Sequence, residues 1–118
     1  MSKLPSPIRK LYGLIDTLSI ALLLALFFKR DKKVSKNCLR NILRLALGDV
    51  KAHPSAIDKR ILDFLIEGIV KVEDGSYMIT ERGQEIIKVF MEIDEIKHMA
   101  DRIMRSMGSM FAREEIAI

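Results

Sequence analysis

The chain has 118 residues, 49% of them apolar, which is enough for one domain with a buried core and excludes a disordered chain. Its net charge of +4 divides along the chain: residues 1–60 carry 13 Lys or Arg against four acids, a net of +9, and residues 61–118 carry seven against 12, a net of −5. A basic half of this kind either faces a polyanion or is a solvated face whose charges happen to segregate.

Thr17 to Phe28, TLSIALLLALFF, is the first element, 12 residues without a charge. A membrane span needs about 20 apolar residues, and this run is closed by Asp16 on one side and Lys29-Arg30 on the other. Basic residues from Lys29 to Lys33 stand where a secretory cleavage site would follow. The run predicts a helix over about residues 7–29, apolar nearly all round because it is central and buried, with membrane insertion as the alternative.

Lys29 to Lys33 read as a solvated connector, and Val34 as a single strand-like residue. Ser35 is suited to cap a second helix that runs to about Leu47. Its inward positions are Leu39, Ile42, Leu43 and Ala46; Lys36, Arg40 and Arg44 lie on another face, and Gly48 stops it. The only cysteine, Cys38, falls in this helix, has no internal disulfide partner and reads as a small apolar side chain, which points to the cytoplasm.

A third helix follows Pro54, with Ser55 as the predicted cap and Asp58 near the positive end of the helix dipole. Ile57, Ile61, Leu62 and Leu65 are its expected inward stripe, Ala56, Lys59, Arg60 and Asp63 face outward, and Gly68 ends it. Next, Val70–Val72 and Tyr77–Ile79 flank Asp74-Gly75, a pair that tolerates the positive φ of a two-residue hairpin turn. Such a ribbon is marginal alone and must lean on the helices.

The last segment carries Val89, Ile93, Ile96, Ala100, Ile103, Met107 and Met110 in steps of four and three, a heptad seam ringed by charged residues. One helix from about Glu81 to Met110 would be roughly 45 Å long, more than this domain can cover. Its far half is expected to pair with a second copy of the chain, with folding back onto its own core as the alternative. The five Met residues of this segment read as adaptable core.

The 26 residues LDFLIEGIVKVEDGSYMITERGQEII, Leu62 to Ile87, resemble winged helix-turn-helix regulators of the MarR and PadR type. There a Leu-rich turn ends the recognition helix, Gly-Ile enters the wing, and a Tyr-x-Ile-Thr strand meets a Gly near the next helix. The order of elements extends the likeness over residues 7–90, and small archaeal winged-helix proteins are similar in pairing their long C-terminal helices. A composition with two Asn and one Gln beside many Ile, Lys, Arg and Glu suits hot environments.

The resemblance implies a mostly α fold with a small β-hairpin: a winged helix-turn-helix in residues 1–84, then a C-terminal helix in 85–118 for coiled-coil dimerisation. The implied protein is a homodimeric regulator of transcription that binds double-stranded DNA, with no enzymatic activity, no cofactor and no membrane span. A recognition helix at about 55–67 would enter the major groove. Ser55, Ala56, Lys59 and Arg60 would face DNA, Arg60 forking onto guanine and Ala56 touching a thymine methyl. Ser35, Lys36, Asn37 and Arg40 would grip phosphates, while Lys29, Arg30, Lys32 and Lys33 add sequence-blind attraction. In the wing Lys71 is the one positive charge, and the tip Glu73-Asp74-Gly75-Ser76 repels phosphate. Asp63 and Glu67 confine contact to the first two turns of the third helix.

His53 and His98 stand far apart, and the chain has no Cys-x-x-Cys pair, no Gly-rich phosphate loop and no nucleophile elbow, so neither a metal site nor catalysis is expected. The alternative function is a winged-helix protein-interaction module, or an adaptor at a membrane surface, that does not bind DNA.

Overall fold

The computed structural model describes residues 16–117, with side chains for residues 16–108. The expected first turns of the opening helix and the Met110 side chain lie outside the described residues. Within them the fold is mostly helical: α1 (Thr17–Phe28), α2 (Lys36–Leu47), α3 (Pro54–Ile66), an antiparallel hairpin of β1 (Val70–Glu73) and β2 (Ser76–Ile79), α4 (Glu81–Phe90) and α5 (Asp94–Ala117).

α1 is apolar on every side because every side is covered. Each residue from Leu18 to Phe27 is buried, and α2, α3, α4, α5 and β2 all pack against this one helix. Asp16 caps it by accepting from the Ser19 N–H at 2.9 Å. No helix among the described residues is long and apolar enough to cross a membrane.

α2 follows the expected pattern. The Ser35 hydroxyl accepts from the Cys38 N–H at 3.1 Å, Leu39, Ile42, Leu43 and Ala46 are buried, and Gly48 leaves the helix at φ 90°. α3 departs from expectation in two places. It begins at Pro54, whose fixed φ suits a first helical position, so the cap moves back to His53; its Nδ1 accepts from the Ser55 N–H at 3.2 Å. Its buried stripe is Ile57, Ile61 and Phe64, and Leu62, expected inside, lies about 100° round from Ile61 and is exposed. The end of α3 is a Schellman motif: Ile69 N–H reaches Phe64 O at 2.9 Å and Gly68 N–H reaches Leu65 O at 3.2 Å, with Gly68 at φ 72°.

Asp74 and Gly75 both take positive φ, 52° and 76°, as a two-residue hairpin turn requires. The register pairs Val70 with Ile79, Lys71 with Met78, Val72 with Tyr77 and Glu73 with Ser76. Val34 forms a further antiparallel bridge to Tyr77, with N–H···O bonds of 2.9 and 2.8 Å, so the α1–α2 connector is sewn to the free edge of β2, opposite β1. Thr80 then ties three elements together. Its hydroxyl donates to Gly68 O at 2.7 Å and accepts from the Gly83 N–H at 3.1 Å, capping α4 against the end of α3. Gly83 is glycine for a steric reason, since a Cβ there would collide with Ile69 O and with the Ile79 side chain.

The C-terminal segment corrects the expectation of one helix from Glu81 to Met110. The chain turns at Met91 to Ile93, and α5 starts at Asp94 and packs on α1 and α2. Ile96, Ala100, Ile103 and Met107, four of the seam residues, are buried in the same cluster as α1; Ile93 is half-buried against it, and Val89, on α4, is half-buried too. The cluster runs without a break across the boundary expected at residues 84 and 85. A four-and-three apolar spacing fits any helical surface, and here its partner is the chain's own core. Arg102 fastens α5 by donating to Ala46 O, a C-terminal carbonyl of α2, at 2.7 Å.

Candidate nucleic-acid interface

The residues expected to meet DNA lie on the connector before α2 (Lys32, Lys33), on β1 (Lys71), and chiefly on the first turns of α2 and α3, which the turn from Gly48 to His53 joins. Between them runs an open groove lined by Asn37, Arg40, Asn41, Arg44, Asp49, Ala52, His53 and Pro54. Two amides, two guanidinium groups and an imidazole line it, donors suited to phosphate oxygens. Ser35, Lys51, Ser55 and Lys59 are exposed nearby in sequence on the same elements, and neither Lys51 nor Lys59 has an ion-pair partner among the described residues. Asn41, Arg44 and Lys51 were not among the expected contacts, whereas His53 reads from the sequence either as a phosphate contact or as a cap of the turn; the run from Arg44 to His53 reads as a helix end and a turn until Asp58 of α3 is seen to face Lys36 and Arg40 of α2.

The cations are held by carboxylates of the same chain. Lys36 Nζ lies 3.1 Å from Asp58 Oδ1, and the Arg40 guanidinium 3.7 Å from Asp58 Oδ2, so one α3 carboxylate faces two α2 cations. Arg44 Nε donates to Asp49 at 2.8 Å. Lys33 reaches the hairpin tip, 2.6 Å from Asp74 and 3.6 Å from Glu73, while Lys71 lies 3.6 Å from Glu73. The acidic tip therefore folds over the connector's own lysine. Lys32 beside it has no ion-pair partner among the described residues. Arg30 is exposed but folds over the Phe27 ring, 4.6 Å from its centroid, and donates to Phe27 O at 3.0 Å.

Arg60, expected to read a guanine, is engaged elsewhere. Its guanidinium donates to the Asp16 carboxylate and ties α3 to the start of α1. Ala56 is half-buried and packs against the core, which leaves little of its methyl group to offer a base. The exposed side of α3 is instead Ser55, Lys59, Leu62, Asp63 and Ile66, polar in the first half and apolar in the second.

The Arg60 hydrogen bond holds the Asp16 carboxyl down from its ordinary 3.8 to about 2, against the opposing effect of partial burial, and Asp16 in turn raises the Arg60 pKa. A carboxyl depressed in the folded state contributes stability above its unfolded pKa and loses it as pH falls through the folded one. Asp16→Asn is therefore expected to lower stability at neutral pH and to flatten its decline between about pH 4 and about pH 2. The Asp16 side chain is half-exposed, so screening limits the effect to about 1 kcal/mol or less. Thermal unfolding of both proteins across that range checks it.

Among the described residues no group of three or more His, Cys, Asp or Glu is placed to hold a metal ion. Comparison of the chain with protein-family models, with curated proteins and with solved structures finds no match.

Proposed function

We propose that the chain is a winged-helix DNA-binding protein that regulates transcription, with the first turns of α3 in the major groove and the start of α2 on the phosphates. One observation carries this reading: Asn37, Arg40, Asn41, Arg44 and His53, with Lys51 and Lys59 beside them in sequence, gather donors and positive charge where α2 and α3 meet. The order helix, bridge residue, helix, helix, hairpin supports the winged-helix assignment. Lys59 and Ser55 take the place given earlier to Arg60 and Ala56 as the groups nearest the bases, and Arg60 becomes an anchor of the fold. The reading does not rest on a dimer, because four of the seam residues lie in the chain's own core.

A second reading has its own support. Leu62 and Ile66 on the outer face of α3 are 56% and 73% exposed, and Val72 on β1 is 51% exposed. Phosphate does not explain these apolar side chains, and a protein partner does.

Titration of a mixed-sequence duplex at several salt concentrations separates the two. Binding whose log K falls with log salt, with a slope of about −3 or steeper, is expected of a surface that engages three or more phosphates. Lys59→Ala should reduce that slope by about one unit. Absence of binding at low salt would remove the DNA reading and leave the apolar face of α3 as the functional surface.

A further inference from the structure

We infer that Asp58 is an internal counter-anion that suppresses sequence-blind DNA binding by α2. The inference rests on the DNA-binding reading above and concerns how that surface is regulated. Lys36 and Arg40 are one helical turn apart on α2, and both turn toward the single carboxylate that α3 presents across the turn, at 3.1 and 3.7 Å. They are gathered around one anion position, as two cations gripping a phosphate would be.

The arrangement neutralises charge without using up hydrogen bonding. Asp58 Oδ1 and Arg40 Nε are both buried atoms with no aligned hydrogen-bond partner, although the first lies within ion-pair distance of Lys36. The side chains themselves remain 31% to 44% exposed, and half-exposed pairs of this sort are weak enough to be exchanged. An approaching phosphate must push Asp58 aside or share the two cations with it, and in either case the carboxylate repels it. Grip on DNA of any sequence is thereby lowered. A larger share of binding must then come from the base-facing residues of α3, which widens the difference between a preferred site and the rest of the duplex.

The test needs no knowledge of the preferred site. The full chain and Asp58→Asn are titrated against a mixed-sequence duplex of roughly 25 bp between about 0.05 and 0.2 M salt. Asp58→Asn is expected to bind roughly three- to tenfold more tightly near 0.1 M and to steepen the salt slope by up to about one unit. Glu85→Gln, an exposed position on α4 that raises net charge by the same amount, should change affinity by less than about twofold. Asp58→Ser removes the same charge from a smaller side chain and should agree with Asp58→Asn; circular dichroism confirms that each variant is folded. Wild-type binding with folded Asp58 variants no tighter than Glu85→Gln overturns the counter-anion and leaves the DNA reading standing. No binding by any of the proteins at the lowest salt overturns the DNA reading, and the counter-anion with it.

Discussion

Leu24→Asp is expected to unfold the protein. Leu24 has no exposed surface and sits in the middle of α1, the helix against which every other helix packs. An aspartate there loses the packing of a leucine and places a carboxylate where no cation is at hand, so it must take up a proton or drag water into the core. The cost is about 4–5 kcal/mol, comparable with the whole stability of many domains of this size. Circular dichroism and size-exclusion chromatography should find lost helicity or a strongly lowered Tm in a protein otherwise recovered without detergent. A variant that keeps the native Tm, or a wild type that fractionates with membranes, would contradict the central placement of α1.

Ile103→Glu is expected to cost nearly as much, about 3–4 kcal/mol, while Met104→Glu costs less than about 0.5 kcal/mol. The two residues are neighbours on α5, yet Ile103 is fully buried and Met104 is 55% exposed. If the seam were shared between two chains, Ile103→Glu would halve the mass in light scattering and leave the domain folded. In the structure the same substitution puts a charge between α5 and the helices beneath it, so Tm should fall whether or not the mass changes. Denaturant unfolding of both variants, followed with light scattering, distinguishes these results.

Much of the local structure was legible because its causes are local. Ser35 before an apolar stripe of four-and-three spacing is a helix start whatever it packs on, and Asp74-Gly75 between β-branched runs is a tight turn because few other pairs tolerate two positive φ angles. An uncharged run too short for a membrane, with charges at both ends, left a buried helix as the economical solution. Errors of detail were local too. Pro54 outweighed Ser55 in setting the start of α3, and separately the inward stripe continues from Ile61 to Phe64, which leaves Leu62 exposed.

The candidate interface was legible only as a list of cations. Lys36 and Asp58 are 22 positions apart, and Asp16 and Arg60 are 44 apart, so nothing in the pattern of residues says which carboxylate meets which cation. Once α3 lies across α2 and against the start of α1, those pairs follow from proximity, and they change the functional reading. Arg60 moves from base contact to anchor, and Lys36 and Arg40 from free charges to restrained ones.

By itself the sequence determined three helices followed by a hairpin, the Ser35 cap, the Asp74-Gly75 turn and the face of α2 that would be buried, because propensity, capping and periodicity act over a few residues. Tertiary structure alone decided what covers the apolar stripe of α5. A heptad stripe is equally satisfied by a second chain or by α1 and α2 of its own, since burial of apolar surface has no direction and names no partner. The turn at Met91 to Ile93 resolves it in favour of the chain itself, by bringing Ile96, Ala100 and Ile103 onto a core that was already assembled.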